Sequence, residues 1–225
     1  MVSAACLAIA VVSGLVARRD ATRPPTAAER AAAEATAVAQ RWRVWTAGRI
    51  FPASLSYSTS LLTTETAARV AIANRTSCAA ALDPSLAALT VTDRCQAGLR
   101  AAYLDQLQGI VYTVGVLAFP SARLAAAFAR RVPTSGPSAL VLRAVELPGT
   151  ATALASDQSR QAATSRTAGP FVVLTVAGYA DGEPAGPGQE PRVGIFAPAS
   201  QLAADVAGPL SAPAQVNCAS PQWAC

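Results

Sequence analysis

Histidine and lysine are both missing from this 225-residue chain, so all eighteen basic residues are arginine. Without histidine there is no Ser-His-Asp triad, no Cys-His dyad and no imidazole base. Without lysine there is no Ser-Lys dyad, no Schiff base and no P-loop lysine. A glycine-rich dinucleotide fingerprint is absent, and histidine-based zinc catalysis is excluded. No cofactor and no metal ligand set is expected. The chain, acting alone, is left with carboxylate chemistry or with none.

Charge is scarce as well as one-sided. The net charge of +5 is thinly spread, and no more than two arginines are ever adjacent. Nucleic-acid binding calls for a concentrated basic surface with stacking aromatics, and neither is visible. The all-arginine, Ala/Pro/Val-heavy composition fits a G+C-rich genome, so arginine alone does not signal phosphate recognition.

What the chain does have is an uncharged opening. From Met1 to Ala17 only Ser3 and Ser13 dilute the apolar run, and Arg18-Arg19-Asp20 ends it. As a helix it would reach about 25 Å, against a hydrocarbon core of about 30 Å. We read residues 1–17 as an uncleaved single-pass anchor. A cleaved signal peptide is the alternative, although no basic residue precedes the run and Leu15-Val16-Ala17 lacks the small residue expected three before a cut. Ser3-Ala4-Ala5-Cys6 is not a lipobox, because the apolar stretch follows the cysteine. Arg18, Arg19 and Arg23 would hold their side of the membrane in the cytoplasm. The cysteines argue the opposite, since disulfides persist mainly in exported proteins. A start codon placed too far downstream would reconcile the two. The expectation is a cell-membrane protein with its soluble domain on the extracytoplasmic side.

Cys78 and Cys95 flank one short segment, and Cys218 and Cys225 bracket the C-terminus. Four cysteines permit three pairings, and the sequence-local one needs the fewest assumptions. Closing a loop of about 17 residues between Cys78 and Cys95 contributes on the order of 3 kcal/mol. Asp83-Pro84 supplies the break that such a loop requires within a helix. The spacings are unlike paired CxxC zinc units, so structural disulfides are expected.

Residues 18–26 read as a linker, 27–210 as an α+β domain and 211–225 as a disulfide-pinned tail. Thr26 and Glu29 form a capping box for a helix from Ala27 to about Thr46, whose Trp42 and Trp45 share a face and anchor it to the domain. A strand is expected over Ala67–Ala73. Leu99–Leu107 and Ile110–Phe119 make a hairpin about Gln108-Gly109, with Tyr103 and Tyr112 across from each other. A helix follows over Ser121–Arg131, then strands over Ala139–Leu147, Phe171–Tyr179 and Arg192–Phe196, and a helix over Ala199–Val206. Val114–Pro120 with Leu124 parallels Val193–Pro198 with Leu202, which suggests a strand–strand–helix pseudo-repeat. The expected fold is an antiparallel sheet with helices packed on one face, behind a transmembrane helix.

Candidate chemistry is sparse. Asp181 and Glu183 lie in a Gly/Pro-rich loop and Asp105 near the hairpin turn, so a carboxylate acid/base pair would come from these three. Asp and Gly are also ordinary turn residues. Arg100, Arg123 and Arg143 would meet an anion if their strands were neighbours. Asn74-Arg75-Thr76 matches a glycosylation sequon, which matters only in a eukaryotic secretory pathway.

Three segments carry a resemblance: Trp45–Pro52, Cys78–Asp83, and Ala102–Asp105 leading to Val114–Pro120. In these the chain resembles a group of uncharacterised actinobacterial membrane-anchored proteins over most of residues 40–210. The resemblance implies a bacterial exported domain behind an anchor and transfers no catalytic residue. In architecture the chain is also distantly similar to extracytoplasmic sensor domains of receptor kinases. Two functions are open: an extracytoplasmic module binding a protein, an envelope component or a small ligand, and a carboxylate-dependent cell-envelope hydrolase.

Overall fold

The computed structural model describes residues 12–14, 23–59, 61–133, 139, 141–184 and 193–218. The expected anchor therefore falls outside the described residues except for 12–14, which are helical. Among the described residues no helix is long and apolar enough to cross a membrane. The chain divides into two compact units, one of Met1–Glu34 with Gln215–Cys225 and the other of Ala35–Ala214.

In the first unit, α1 (Ala27–Ala39) starts on the expected capping box. The Glu29 N–H donates to Thr26 Oγ1 at 3.2 Å and the Thr26 N–H donates back to Glu29 Oε2 at 2.8 Å. Arg23 clamps the same carboxylate with both terminal nitrogens, at 2.8 and 2.5 Å. Those hydrogen bonds, the arginine's first and Thr26's next, bring the Glu29 pKa down to about 2. Helix α1 ends at Ala39, sooner than its alanine content suggests. A short α2 (Arg41–Val44) and α3 (Ala47–Ile50) follow, the latter capped by Thr46.

The second unit is built on six antiparallel strands: β1 (Ser54–Ser58), β2 (Thr64–Ile72), β3 (Ala97–Leu104), β4 (Ile110–Ala118), β5 (Arg160–Ala168) and β6 (Phe171–Tyr179). Their order across the sheet is β1-β2-β3-β4-β6-β5. Helices α4 (Cys78–Ala81) and α5 (Pro84–Thr92) bridge β2 and β3, α6 (Ala122–Ala129) follows β4, and α7 (Val193–Phe196) leads into α8 (Pro198–Ser211).

Helices cover both faces of the sheet, not one. The pleat explains this: β3, β4 and β6 are buried along almost their whole length, so neither face can be left to water. On the inner face, Tyr103, Tyr112, Val114, Phe171 and Val173 pack against Leu202, Val206 and Leu210 of α8. Helix α8 touches β5 and β6 and also β1 at the far edge, so the sheet curls around it. On the outer face, Leu117, Val172 and Leu174 pack against Leu82, Leu86 and Phe128 from α4, α5, α6 and their joints. Each fully buried Leu or Phe contributes roughly 1.5–3 kcal/mol.

Three expected elements take other forms. Among the described residues of Ala139–Leu147 there is no ladder strand. Val141, Leu142 and Val145 are buried because this segment crosses the outer face as a strap. Its backbone bonds scatter to Asp83, Ala81 and Thr113, with one isolated bridge from Leu82 to Leu142. The end of the expected strand Arg192–Phe196 is a helical turn, in which Phe196 meets the Tyr179 ring edge-on at 5.3 Å. A short apolar run does not distinguish strand from buried helix. The pseudo-repeat fails with it: Val114–Ala118 is strand and its supposed match is helix. Strand–strand–helix does occur twice, as β3-β4-α6 and β5-β6-α8, but α6 and α8 lie on opposite faces. Finally, α8 outruns its expected end at Val206 and reaches Ser211 with Pro209 inside it.

Candidate functional site

One end of the sheet gathers exposed leucines. Leu61 and Leu62 sit in the β1–β2 turn, 83% and 92% exposed, and Leu62 adopts φ 60°. Leu107, 82% exposed, sits in the β3–β4 turn. Ala68 pairs with Leu104 and Ile110 with Tyr179, which brings these turns to the same end as the loop after β6. The Ala180 N–H donates to Gly109 O at 2.9 Å. Leu154, 62% exposed, joins them beside Gly182. A Cβ on Gly182 would come within 2.7 Å of Leu154 O, and its φ of +80° also favours glycine.

The carboxylates proposed for acid/base work sit at this end too, and those of Asp105 and Asp181 each serve their own loop. Asp105 is buried and accepts from the Ile110 N–H at 2.8 Å, fastening the hairpin turn. Asp181 accepts from the Glu183 N–H at 3.0 Å, and the Glu183 carbonyl accepts from Gln161 Nε2. Glu65 takes the Tyr57 hydroxyl at 2.8 Å. Tyr103 and Tyr112 are in register, as the hairpin predicts, and both are buried in the core. Burial pushes the Tyr57, Tyr103 and Tyr112 phenols above their ordinary range; Glu65 adds to this at Tyr57, and Tyr57 and nearby carboxylates at Tyr112.

A second polar constellation holds the strap to the outer face. Asp83 is the N-cap residue of α5 but makes no cap bond. Its carboxylate instead takes Arg160 Nη1 and Nη2 at 3.2 and 3.1 Å. Arg160 Nη1 also donates to Leu142 O at 2.8 Å. Asp157 accepts from Arg143 Nε at 3.0 Å and from the Ala144 N–H at 2.7 Å. Arg100, on β3, donates from Nη1 to the carbonyls of Arg143 and Ala144 at 2.9 and 3.0 Å. It is 8% exposed, and its Nε is buried with no hydrogen-bond partner. Burial, then the charges of Arg143 and Arg75, lower its pKa against the pull of Asp157.

Of the three arginines considered as an anion site, Arg100 and Arg143 are thus brought together. Arg123, exposed on α6, is not among the charges that act on Arg100. Arg75 takes its place because residues 73–76 run beside β3: the Ala73 N–H donates to Arg100 O and the Gly98 N–H to Thr76 O. In sequence Arg75 belongs to a glycosylation-like triplet in a loop, and nothing there points to Arg100.

Cys78 and Cys95 are disulfide-bonded, with 6.3 Å between their Cα atoms. The break at Asp83-Pro84 turns the chain as the loop requires. Cys218 is also in a disulfide, while Cys225 lies outside the described residues. Trp42 and Trp45 pack on the inner core. Trp45 is flanked by the Arg41 and Arg49 guanidinium groups at 4.9 and 4.0 Å, which makes these rings part of the scaffold. A cavity of about 170 Å³ lies between the strap and β5–β6, smaller than the ~300 Å³ usual for small-molecule sites. Among the described residues no group of His, Cys, Asp and Glu side chains could hold a metal ion. No protein-family model, curated protein or solved structure matches the chain.

Proposed function

We propose that this protein is a membrane-tethered, extracytoplasmic interaction module, without catalysis of its own, that docks a partner protein through the leucine-bearing end of its sheet. The observation that carries this reading is the gathering of Leu61, Leu62, Leu107 and Leu154 on neighbouring loops, exposed to water. Solvent-exposed apolar side chains grouped in this way mark interaction surfaces. Glu65, Asp181 and Glu183 stand around them, so the complementary partner offers an apolar groove with a basic rim. The Cys78–Cys95 disulfide supports an oxidising compartment. The opening apolar run supplies the tether, and the resemblance to actinobacterial membrane-anchored proteins agrees with it.

The competing reading, an envelope hydrolase, draws on Asp105, Asp181 and Glu183 sharing one end of the sheet. It needs two carboxyl groups about 5–9.5 Å apart across a cleft. Asp105 and Asp181 are each engaged by a backbone N–H of their own turn, which favours the module.

Photocrosslinking in intact cells tests the proposal. A photoreactive residue at Leu62 should give one discrete protein adduct that Leu107→Ser suppresses. The same residue at Val91, exposed on α5, should give none. Adducts that are equally diffuse from both positions would overturn docking. Alkylation of exported protein that finds Cys78 and Cys95 as free thiols would overturn the location.

A further inference from the structure

We propose that the free edge of β5, with the cavity beside it, docks an extended acidic and apolar segment of another protein as an added strand. This surface is separate from the leucine-bearing loops.

β5 is the last strand of the sheet and pairs only with β6. The two-residue turn Gly169-Pro170 makes Ala168 and Phe171 the first hydrogen-bonded pair of this hairpin. Such pairs alternate along an antiparallel ladder, so Ala163, Ser165 and Thr167 turn their N–H and C=O groups away from β6. Among the described residues no hydrogen bond reaches these groups from another element. The bulge in the pairing sits at the Arg160 end, and β5 contains no proline. Apart from Arg166, the edge from Ala162 to Ala168 therefore lacks the devices that keep other strands away.

Residues directly opposite in a ladder share a face. Ala163 stands across from Val176 and Ser165 from Leu174, so all four belong to the outer face. The cavity of about 170 Å³ lies over them and is walled by Val141 and Leu142 of the strap. A strand added to β5 would carry the residue opposite Ser165 on this face, at the cavity. An apolar cavity of about 150 Å³ accepts benzene, so this one takes a single Leu, Ile or Phe side chain. Main-chain bonds to the edge would supply affinity and the cavity would select the side chain.

Charge fixes the rest of the partner. The residue next to the anchor lies on the opposite face, beside Arg166. Arg166 is exposed and forms no ion pair among the described residues. The matching segment therefore carries Asp or Glu beside its apolar anchor. A second copy is the poorer occupant. Its β5 would offer only Ala, Ser and Thr to the cavity, and would bring Arg160 and Arg166 to an edge that already holds them.

Full-length protein in a non-ionic detergent is panned against phage-displayed random peptides. The expected result is enrichment of peptides with Leu, Ile or Phe next to Asp or Glu, binding in the micromolar range. Bound peptide should slow amide exchange at Ala163, Ser165 and Thr167, and leave exchange at Leu62 and Leu107 unchanged. Ser165→Pro removes an outward N–H without touching the β5–β6 ladder, and should weaken binding by about tenfold or more. Arg166→Glu, a surface change that spares the core, should weaken the acidic peptides by about tenfold and select basic ones when panning is repeated. Arg123→Glu should do neither. The site is overturned if no such motif is enriched, if Arg166→Glu and Arg123→Glu behave alike, or if protection appears at the leucine-bearing loops instead. A concentration-dependent dimer that Ser165→Pro dissolves would make a second copy the occupant and overturn it equally.

Discussion

Gln201 and Ser58 close a ring of two hydrogen bonds between the last helix and the edge strand of the sheet. The Ser58 N–H donates to Gln201 Oε1 at 2.8 Å, and Gln201 Nε2 donates to Ser58 O at 2.9 Å. The side-chain amide thus occupies the backbone groups a neighbouring strand would use, at the end of β1. Gln201→Ala should cost about 1 kcal/mol in urea denaturation. It should also speed amide exchange at Ser58 and raise concentration-dependent association through the freed edge. Gln201→Glu, which keeps the acceptor and loses the donor, should fall between.

Arg41 is buried, and its Nη1 donates to the carbonyls of Leu210 and Pro209, both at 2.9 Å, and of Ala212. These carbonyls belong to the end of α8, where a helix has no internal donors left. Arg41→Met should therefore destabilise the domain by about 2–3 kcal/mol in denaturant melts. Arg41→Lys should recover only part of that, because one ammonium cannot reproduce a planar fork.

Gly178 is closed in by backbone. A Cβ there would stand 2.2 Å from Ser159 O, whereas one at Gly115 would stand 2.4 Å from the Leu142 Cδ1. A side-chain tip can turn away, and a paired strand cannot. Gly178→Ala should therefore cost more than Gly115→Ala, each falling on the order of 1–3 kcal/mol or above. Leu142→Ala should relieve the clash in the Gly115 variant and do nothing for the other. Paired melting curves of the single and double variants check this.

Two pH limits follow from opposite shifts. Glu29 is held at about 2 against an ordinary 4.5. Its capping of α1 is fully present above about 4.5, weakens below that and is gone once pH falls through about 2. The phenols of Tyr57, Tyr103 and Tyr112 are raised from an ordinary 10.0. Their contribution is fully present below about 10 and is lost as pH rises beyond it. Helical circular dichroism should report the acid limb, and phenolate absorbance together with unfolding the alkaline one. Phenolate forming at Tyr57, Tyr103 or Tyr112 at pH 10 with no loss of structure would contradict the burial.

Removing the Cys78–Cys95 bond should cost on the order of 3 kcal/mol, measured as the drop in unfolding free energy on replacing both residues by serine.

The sequence displayed the middle of the sheet clearly and its margins poorly. β3, β4 and β6 are dense in apolar residues, with β-branched ones throughout β4 and β6, because they are buried on both faces, and that density makes them readable. β5 reads Arg-Gln-Ala-Ala-Thr-Ser-Arg-Thr-Ala, an edge strand with half-exposed side chains and no apolar alternation. β1 has five residues, three of them serine. The strap misled because its buried valines and leucine answer to the core of another element. The Thr26–Glu29 capping box, by contrast, acts locally, and local signals survive in one dimension. The arginine cluster was half legible, since Arg100 and Arg143 lie on apolar segments whose packing could be anticipated. Arg75 joins them only through the path of a loop, and the leucine-bearing end depends on strand register.

Arg41 and Leu210 are 169 positions apart, and the helix Arg41 holds also covers the concave face of the sheet. That face stays open until α8 has been synthesised. A ribosome-bound or translocating chain that stops short of α8 exposes Val114, Phe171 and Val173 to whatever surrounds it. The two halves of this core therefore close together only when α8 docks, and holding factors have their opportunity just before that helix emerges.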